Sequence, residues 1–243
     1  MPIQPTADTG TPVSRDVIIP PYDLPGRLCV PANALGMVVF AHGSGSSRHS
    51  PRNMQVAESL QKARLATLLF DLLHGHEAQD RARVFDIPLL ARRLAAAGHW
   101  TRDDPETAAL NLGYFGASTG AAAALVAAAE GAPQVRAVVS RGGRPDLAGS
   151  YLTRVQAPTL LIVGDRDTGV IELNEQARAQ LAGRREMRLV PGATHLFEEP
   201  GCLEAVVALT VDWFTRHLPD EPVDDPADKA EDTPEGAGVE IHR

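Results

Sequence analysis

Six short, almost uninterrupted apolar runs recur along this chain: MVVFA (37–41), LATLLF (65–70), LGYFG (112–116), VRAVVS (135–140), TLLIV (159–163) and MRLV (187–190). Such runs suit strands covered on both faces, and the spacers between them leave room for the crossover helices that parallel strands require. The pattern therefore predicts a doubly wound, mostly parallel α/β sheet. Upstream, DVIIP (16–20) and RLCVP (27–31) flank a Pro/Gly turn, which predicts an antiparallel hairpin at one edge. Helical spacing is readable at 51–63, 83–97, 104–109, 119–130, 171–182 and 201–217. In the last of these, Leu203, Val206, Val207, Leu209, Thr210, Trp213 and Phe214 fall on one stripe.

With 243 residues and 44% apolar content, one large domain can bury a substantial core. Its expected span is 15–218, after a flexible N-terminus (1–14). Beyond it, residues 219–243 form an acidic tail: from Asp220 onward there are nine acidic residues, two basic ones and three prolines. Such a tail cannot offset its ordering entropy by apolar burial and should be disordered. The stretch between Ser140 and Thr159 is too short to hold a separate lid domain. A formal charge of −8 without a basic stripe argues against nucleic acid and anionic lipid as partners. The N-terminus has neither a basic start nor an apolar stretch, and AAAALVAAA (121–129) is too short to span a bilayer, so a cytoplasmic protein is expected. Cys29 and Cys202 offer neither metal-ligand spacing nor a disulfide framework and read as small hydrophobes.

The chemistry centres on Gly116-Ala117-Ser118-Thr119-Gly120, between a strand and an Ala-rich helix. A serine on so tight a turn is held in a strained conformation, with its hydroxyl at the carboxyl edge of the sheet above the positive end of the helix dipole. The plain alternative is a Gly-rich helix start capped by Ser118. A nucleophilic serine needs a base and a group to orient that base. The strand TLLIV runs into Gly164-Asp165-Arg166-Asp167, and after the next strand Pro191-Gly192-Ala193-Thr194-His195 precedes the final helix. His195 is the expected base. Asp167 is the expected orienting acid, reaching further round the turn than Asp165, which is placed to hold the turn together. Small residues in Ala41-His42-Gly43-Ser44-Gly45-Ser46-Ser47 let backbone N–H groups converge on a ligand, and the N–H groups of Ser44 and Thr119 are the expected oxyanion donors. A phosphate-cradling loop competes with this reading, but the Gly-Lys-Ser/Thr ending and GxGxxG pattern of nucleotide sites are missing.

His74-Gly75-His76-Glu77 lacks an evident third metal ligand, so no metal site is expected there, and the remaining histidines outside the triad fall in loops or near helix ends. Arg141 and Arg144, in SRGGRPDL at the same sheet edge, are candidates for binding an anionic group of the substrate, against the simpler reading that they pair with Asp146 or Asp165. Leu73, His74, Tyr151 and Phe197 are candidates for the pocket wall.

From Asp16 to His217 the chain resembles small α/β-hydrolases of the dienelactone hydrolase-like group. The resemblance rests on AHGSGSSRHSPRN, FDLL, GYFGASTGAAAAL, VVSRGGRPDLAG, APTLLIVGDRD and VPGATHLFEEPG, in that order. It implies the α/β-hydrolase fold, a triad of Ser118, Asp167 and His195, an oxyanion hole at Ser44 and Thr119, a small-molecule ester as substrate, and no metal or organic cofactor. Dienelactone hydrolase itself uses a cysteine nucleophile where this chain has Ser118, so its lactone specificity does not transfer.

Overall fold

The computed structural model describes residues 12–220. The expected flexible N-terminus and acidic tail therefore lie almost wholly outside the described residues. Eight strands form one sheet: β1 (Val13–Ile19), β2 (Leu24–Val30), β3 (Gly36–Ala41), β4 (Leu65–Phe70), β5 (Leu112–Ala117), β6 (Val135–Arg141), β7 (Thr159–Gly164) and β8 (Arg185–Val190). Their order across the sheet is β1-β2-β4-β3-β5-β6-β7-β8. Strands β3 to β8 are parallel, while the β1–β2 hairpin pairs antiparallel with itself and with β4. This is the α/β-hydrolase fold with its added edge hairpin. The first strand starts at Val13, inside the segment expected to be flexible, because Val13 and Ser14 find partners in Val30 and Cys29.

Alternation along the central strands feeds two cores. Met37 and Val39 point to the face covered by α3 (Ile87–Asp103) and α4 (Thr119–Glu130), where Leu90, Leu94 and the Ala-rich face of α4 pack. Val38 and Phe40 point to the other face and meet Leu60 of α1 (Pro51–Lys62) and Trp213 and Phe214 of α6 (Cys202–His217). The remaining helices are the single turn α2 (Arg81–Val84) and α5 (Thr168–Gln180). Two helix expectations need correction. The helix read at 83–97 is split: Asp86 caps Leu89 N–H at 3.0 Å, so α3 restarts at Ile87 and runs to Asp103. Residues 104–109 form turns, because Asp104 ends α3 in an extended conformation and Pro105 follows it. A 3-10 segment, Pro145–Arg154, kinked where Gly149 has φ 52°, occupies the span between β6 and β7 in place of any lid. None of the described helices is long and apolar enough to cross a membrane. Cys29 is half-buried and Cys202 buried, and both are free thiols.

Candidate active site

All the expected site residues lie at the carboxyl ends of the strands. Ser118 joins β5 to α4 with φ 51° and ψ −120°, a left-handed backbone conformation that a residue with a Cβ adopts only where its surroundings enforce it. Those surroundings are explicit. Ser118 N–H donates to Arg141 O at 3.3 Å, Arg144 N–H donates to Ser118 O at 3.1 Å, and Gly142 N–H donates to Ile162 O at 2.8 Å, so the end of β6 clamps the turn from both sides. Gly120 permits the other half of the geometry. A Cβ there would stand 2.2 Å from Ala41 O and 2.6 Å from His42 O, so only glycine lets the first turn of α4 press against the end of β3.

That approach brings the two expected oxyanion donors together. As the first residue of α4, Thr119 has no intrahelical acceptor for its N–H. Its hydroxyl accepts the Ser44 N–H at 3.0 Å, so in the free protein Thr119 Oγ1 takes the place of an oxygen acceptor at the Ser44 donor. The loop carrying Ser44 is held by groups that sequence reasoning missed. His42, buried, accepts Leu72 N–H on Nε2 at 3.0 Å and donates from Nδ1 to Gly43 O at 3.0 Å, and burial pushes its pKa below the ordinary value, keeping it neutral. Asp71 accepts Arg48 N–H at 2.7 Å and pairs with the Arg48 guanidinium. Asn174, fully buried on α5, donates to Gly143 O at 3.0 Å and steadies the glycines after β6. The histidine next to Gly43 was the one local signal; the other two contacts span 23 and 31 residues.

His195 Nδ1 and Asp167 Oδ2 are 2.7 Å apart, with the Asp167 side chain largely buried and His195 at 39% exposure. Asp165 does the other job: its Oδ1 accepts Gly192 N–H at 2.8 Å, and Arg166 N–H donates to Ala193 O at 3.0 Å, which fastens the His195 loop to the end of β7. The His195 ring lies against the bare Gly142, where a Cβ would stand 3.7 Å from its Cε1. The structure thus brings histidine and carboxylate together and leaves the Ser118 hydroxyl without a hydrogen bond to the imidazole among the described residues.

The two arginines part company. Arg144 forks onto Asp146 at 2.8 and 2.7 Å, the simpler of its two readings, which leaves its guanidinium occupied. Arg141 is buried, donates among the described residues only to Asn53 Oδ1, at 3.2 Å, and lies over the Phe197 ring. Of the pocket-wall candidates, Phe197 is buried, with φ 56°, and His74 is bonded to Tyr22 O at 2.9 Å. Glu77 is not available to a metal: Arg93 holds it at 2.7 and 2.9 Å and Arg83 at 2.9 Å, which brings its pKa down to about 2. The cavity next to Ser44, about 570 Å3, is instead walled by the polar loop from Ser44 to Arg52 with Ala78 and Gln79.

Residues 34–205 match a family model described as an alpha/beta hydrolase domain. The crystal structure of a dienelactone hydrolase from Anabaena variabilis is 54% identical, covers 86% of this chain and 99% of its own, and superposes with a TM-score of 0.81. The esterase Est1E from Butyrivibrio proteoclasticus, 16% identical, shares the fold with a TM-score of 0.68 over 82% of this chain and 97% of its own. Two proteins of Mycobacterium tuberculosis, provisionally named phosphoribosyl transferases, are 61% identical over 202 residues, or 83% of this chain. The chain spans about half the length of these curated relatives, 46% of each. By family model, fold and identity, the chain belongs to the α/β-hydrolase family.

Proposed function

We propose that this chain is a serine hydrolase that cleaves a carboxylic ester of a small molecule through an acyl-enzyme. The observation that carries the reading is the left-handed Ser118 at the strand-to-helix turn, on the same sheet edge as the His195–Asp167 pair. In the proposed reaction His195 Nε2 takes the Ser118 proton as Oγ bonds to the carbonyl carbon, and Asp167 stays ionised and holds the imidazolium. The carbonyl oxygen, now negative, takes over the Ser44 N–H from Thr119 Oγ1 and receives the Thr119 N–H as well. His195 then protonates the leaving alkoxide, and water repeats the sequence on the acyl group to free the acid and restore Ser118. Every step uses groups of the chain itself. The Anabaena relative is named a dienelactone hydrolase, and since a lactone is a cyclic ester, its name supports ester chemistry. The name given to the mycobacterial relatives is not carried over, since they are about twice as long.

The test is labelling by a fluorophosphonate with peptide mass spectrometry on the wild type, Ser118→Ala and His195→Ala. Labelling confined to Ser118 and lost in both variants is the expected result. Folded wild-type protein that takes no label would sink the hydrolase reading in favour of a binding protein built on the same fold.

A further inference from the structure

Ser118 follows β5, and the groups around it come from opposite sides of that strand. The order β4-β3-β5-β6-β7-β8 puts the loops after β3 and β4 on one flank and those after β6, β7 and β8 on the other. His195 belongs to the second flank: its loop follows β8, its ring lies against Gly142 after β6, and Asp167 after β7 holds its Nδ1. The leaving oxygen of an ester must turn towards that imidazole to be protonated. With Ser118 Oγ on the carbonyl carbon and the oxyanion between the proposed donors at Ser44 and Thr119, the remaining substituent, the acyl chain, is left to the β3–β4 flank.

On that flank lies a small pocket. Gly43, Ser44 and Thr119 form its wall nearest the serine, and a Cβ on Gly43 would stand 3.0 Å from the Ser118 Cβ. Leu72, Leu73, Val84 and Leu90 supply most of the rest. The three leucines are buried, and Val84, on the single turn α2, is half-buried. Among the described residues no carboxylate, lysine or arginine lines it, and the ring nitrogens of His42, which does, are taken by Leu72 N–H and Gly43 O. Its volume is about 20 Å3. A single water-sized sphere already needs about 10–15 Å3, so the space suits a methyl group and little more. Past Ala78 and the Ser44 loop, which both cavities share, lies the polar 570 Å3 cavity, where a longer alkyl chain gains no apolar burial.

We propose that the small pocket receives the acyl group of the substrate and limits it to a short, uncharged chain of acetyl or propionyl size, with Val84 and Leu90 setting the limit. The proposal rests on the hydrolase reading and names the acyl half of its ester. The alcohol half faces the other flank, where the His195 side chain is 39% exposed, and is held less closely to one size.

The experiment measures kcat/KM of the full chain on the p-nitrophenyl esters of acetate, propionate, butyrate and octanoate, and on phenyl and 2-naphthyl acetate, beside fluorophosphonate labelling of Ser118. The variants are Val84→Ala, Leu90→Ala and, as a control, Ile18→Ala on the exposed face of β1. Acetate and propionate should be cleaved at least about tenfold faster than octanoate, while enlarging the alcohol from phenyl to naphthyl changes the rate far less. Val84→Ala and Leu90→Ala should each raise the butyrate-to-acetate ratio at least about fivefold, and Ile18→Ala should leave every ratio as in the wild type. Because each ratio is read within one variant, a smaller folded fraction cancels from it, and a merely structural role for either side chain would not move it. Should Leu90→Ala not fold, the half-buried Val84 carries the test. Octanoate cleaved as fast as acetate, or a butyrate-to-acetate ratio that truncation leaves in place, overturns the acyl assignment while a labelled Ser118 keeps the hydrolase reading standing. No label and no turnover of any ester overturns that reading, and the acyl assignment with it.

Discussion

At the scale of single residues, the site depends on side chains forced into one state by their neighbours. Asp167 holds the His195 ring through Nδ1, which on the proposed reading leaves Nε2 for the serine proton. Asp167→Asn should keep the fold and lower ester turnover by roughly four orders of magnitude, because the amide favours the wrong tautomer; steady-state kinetics on an activated ester, beside circular dichroism, reads both. His42 is the less visible case. It is neutral in the fold and bridges Leu72 N–H to Gly43 O, so His42→Phe keeps the ring but leaves Leu72 N–H unpaired, while Gly43 O keeps only the Ser46 N–H. The expected loss is about 1–3 kcal/mol of stability in urea melts, with slower labelling of Ser118 as the Ser44 loop loosens. A turnover unchanged by His42→Phe would remove His42 from the supports of the proposed oxyanion donor at Ser44.

At the scale of elements, the sheet edge is assembled by contacts between loops. The end of β6 clamps the Ser118 turn, Asp165 ties the β7 loop to the β8 loop, and Gly120 seats α4 against β3. Gly120→Ala puts a methyl group against backbone that cannot step aside, so stability should fall by about 1–3 kcal/mol or more. Ser118 labelling should fall with it, because Thr119 and Ser44 are driven apart; a thermal melt and a labelling time course check the pair. Most of the strands were legible because five of the eight, β3 to β7, are buried on both faces, and the positions of Ser118, Asp167 and His195 at one sheet edge were legible because each follows its own strand. The reading failed where local chemistry overruled periodicity. Asp86 caps a helix in the middle of an apparently continuous one, Pro105 forbids a helix whose spacing looks helical, and the kinked 3-10 segment after β6 has no period to find. The surroundings of Arg141 could not be read either, since residues 52, 53 and 197 are brought to it only by the fold.

At the scale of the whole molecule, two acid-sensitive windows should appear in stability. The folded pKa values of His42 and His217 are lowered, chiefly by burial, so the unfolded chain takes up their protons first. Their contribution is complete above the ordinary value of 6.5 and is lost as pH falls below it. Glu77, held at about 2 by Arg93 and its neighbours, contributes fully above 4.5 and loses that contribution as pH falls towards 2. Melting temperatures measured from pH 8 to 3 should therefore decline in two stages, the first shallower in His42→Phe. Arg93→Met should cost about 3–5 kcal/mol near neutral pH, since it strands a buried carboxylate at the root of the loop after β4; a variant as stable as the parent would show that Arg83 suffices.

The 3-10 segment Pro145–Arg154 is the one helical element in the connection between β6 and β7, and the His195 side chain keeps 39% of its surface in contact with solvent. Enzymes that hand a reactive group to a chosen acceptor close over it to keep water out. An acyl group on Ser118 would stand beside this partly exposed imidazole, with no separate domain inserted between β6 and β7 to cover it. On the proposed reading, the partition of the acyl-enzyme is set by this exposure: added alcohols would compete with the solvent only in proportion to their own nucleophilicity and concentration, and hydrolysis would be the default fate of every acyl group the serine accepts.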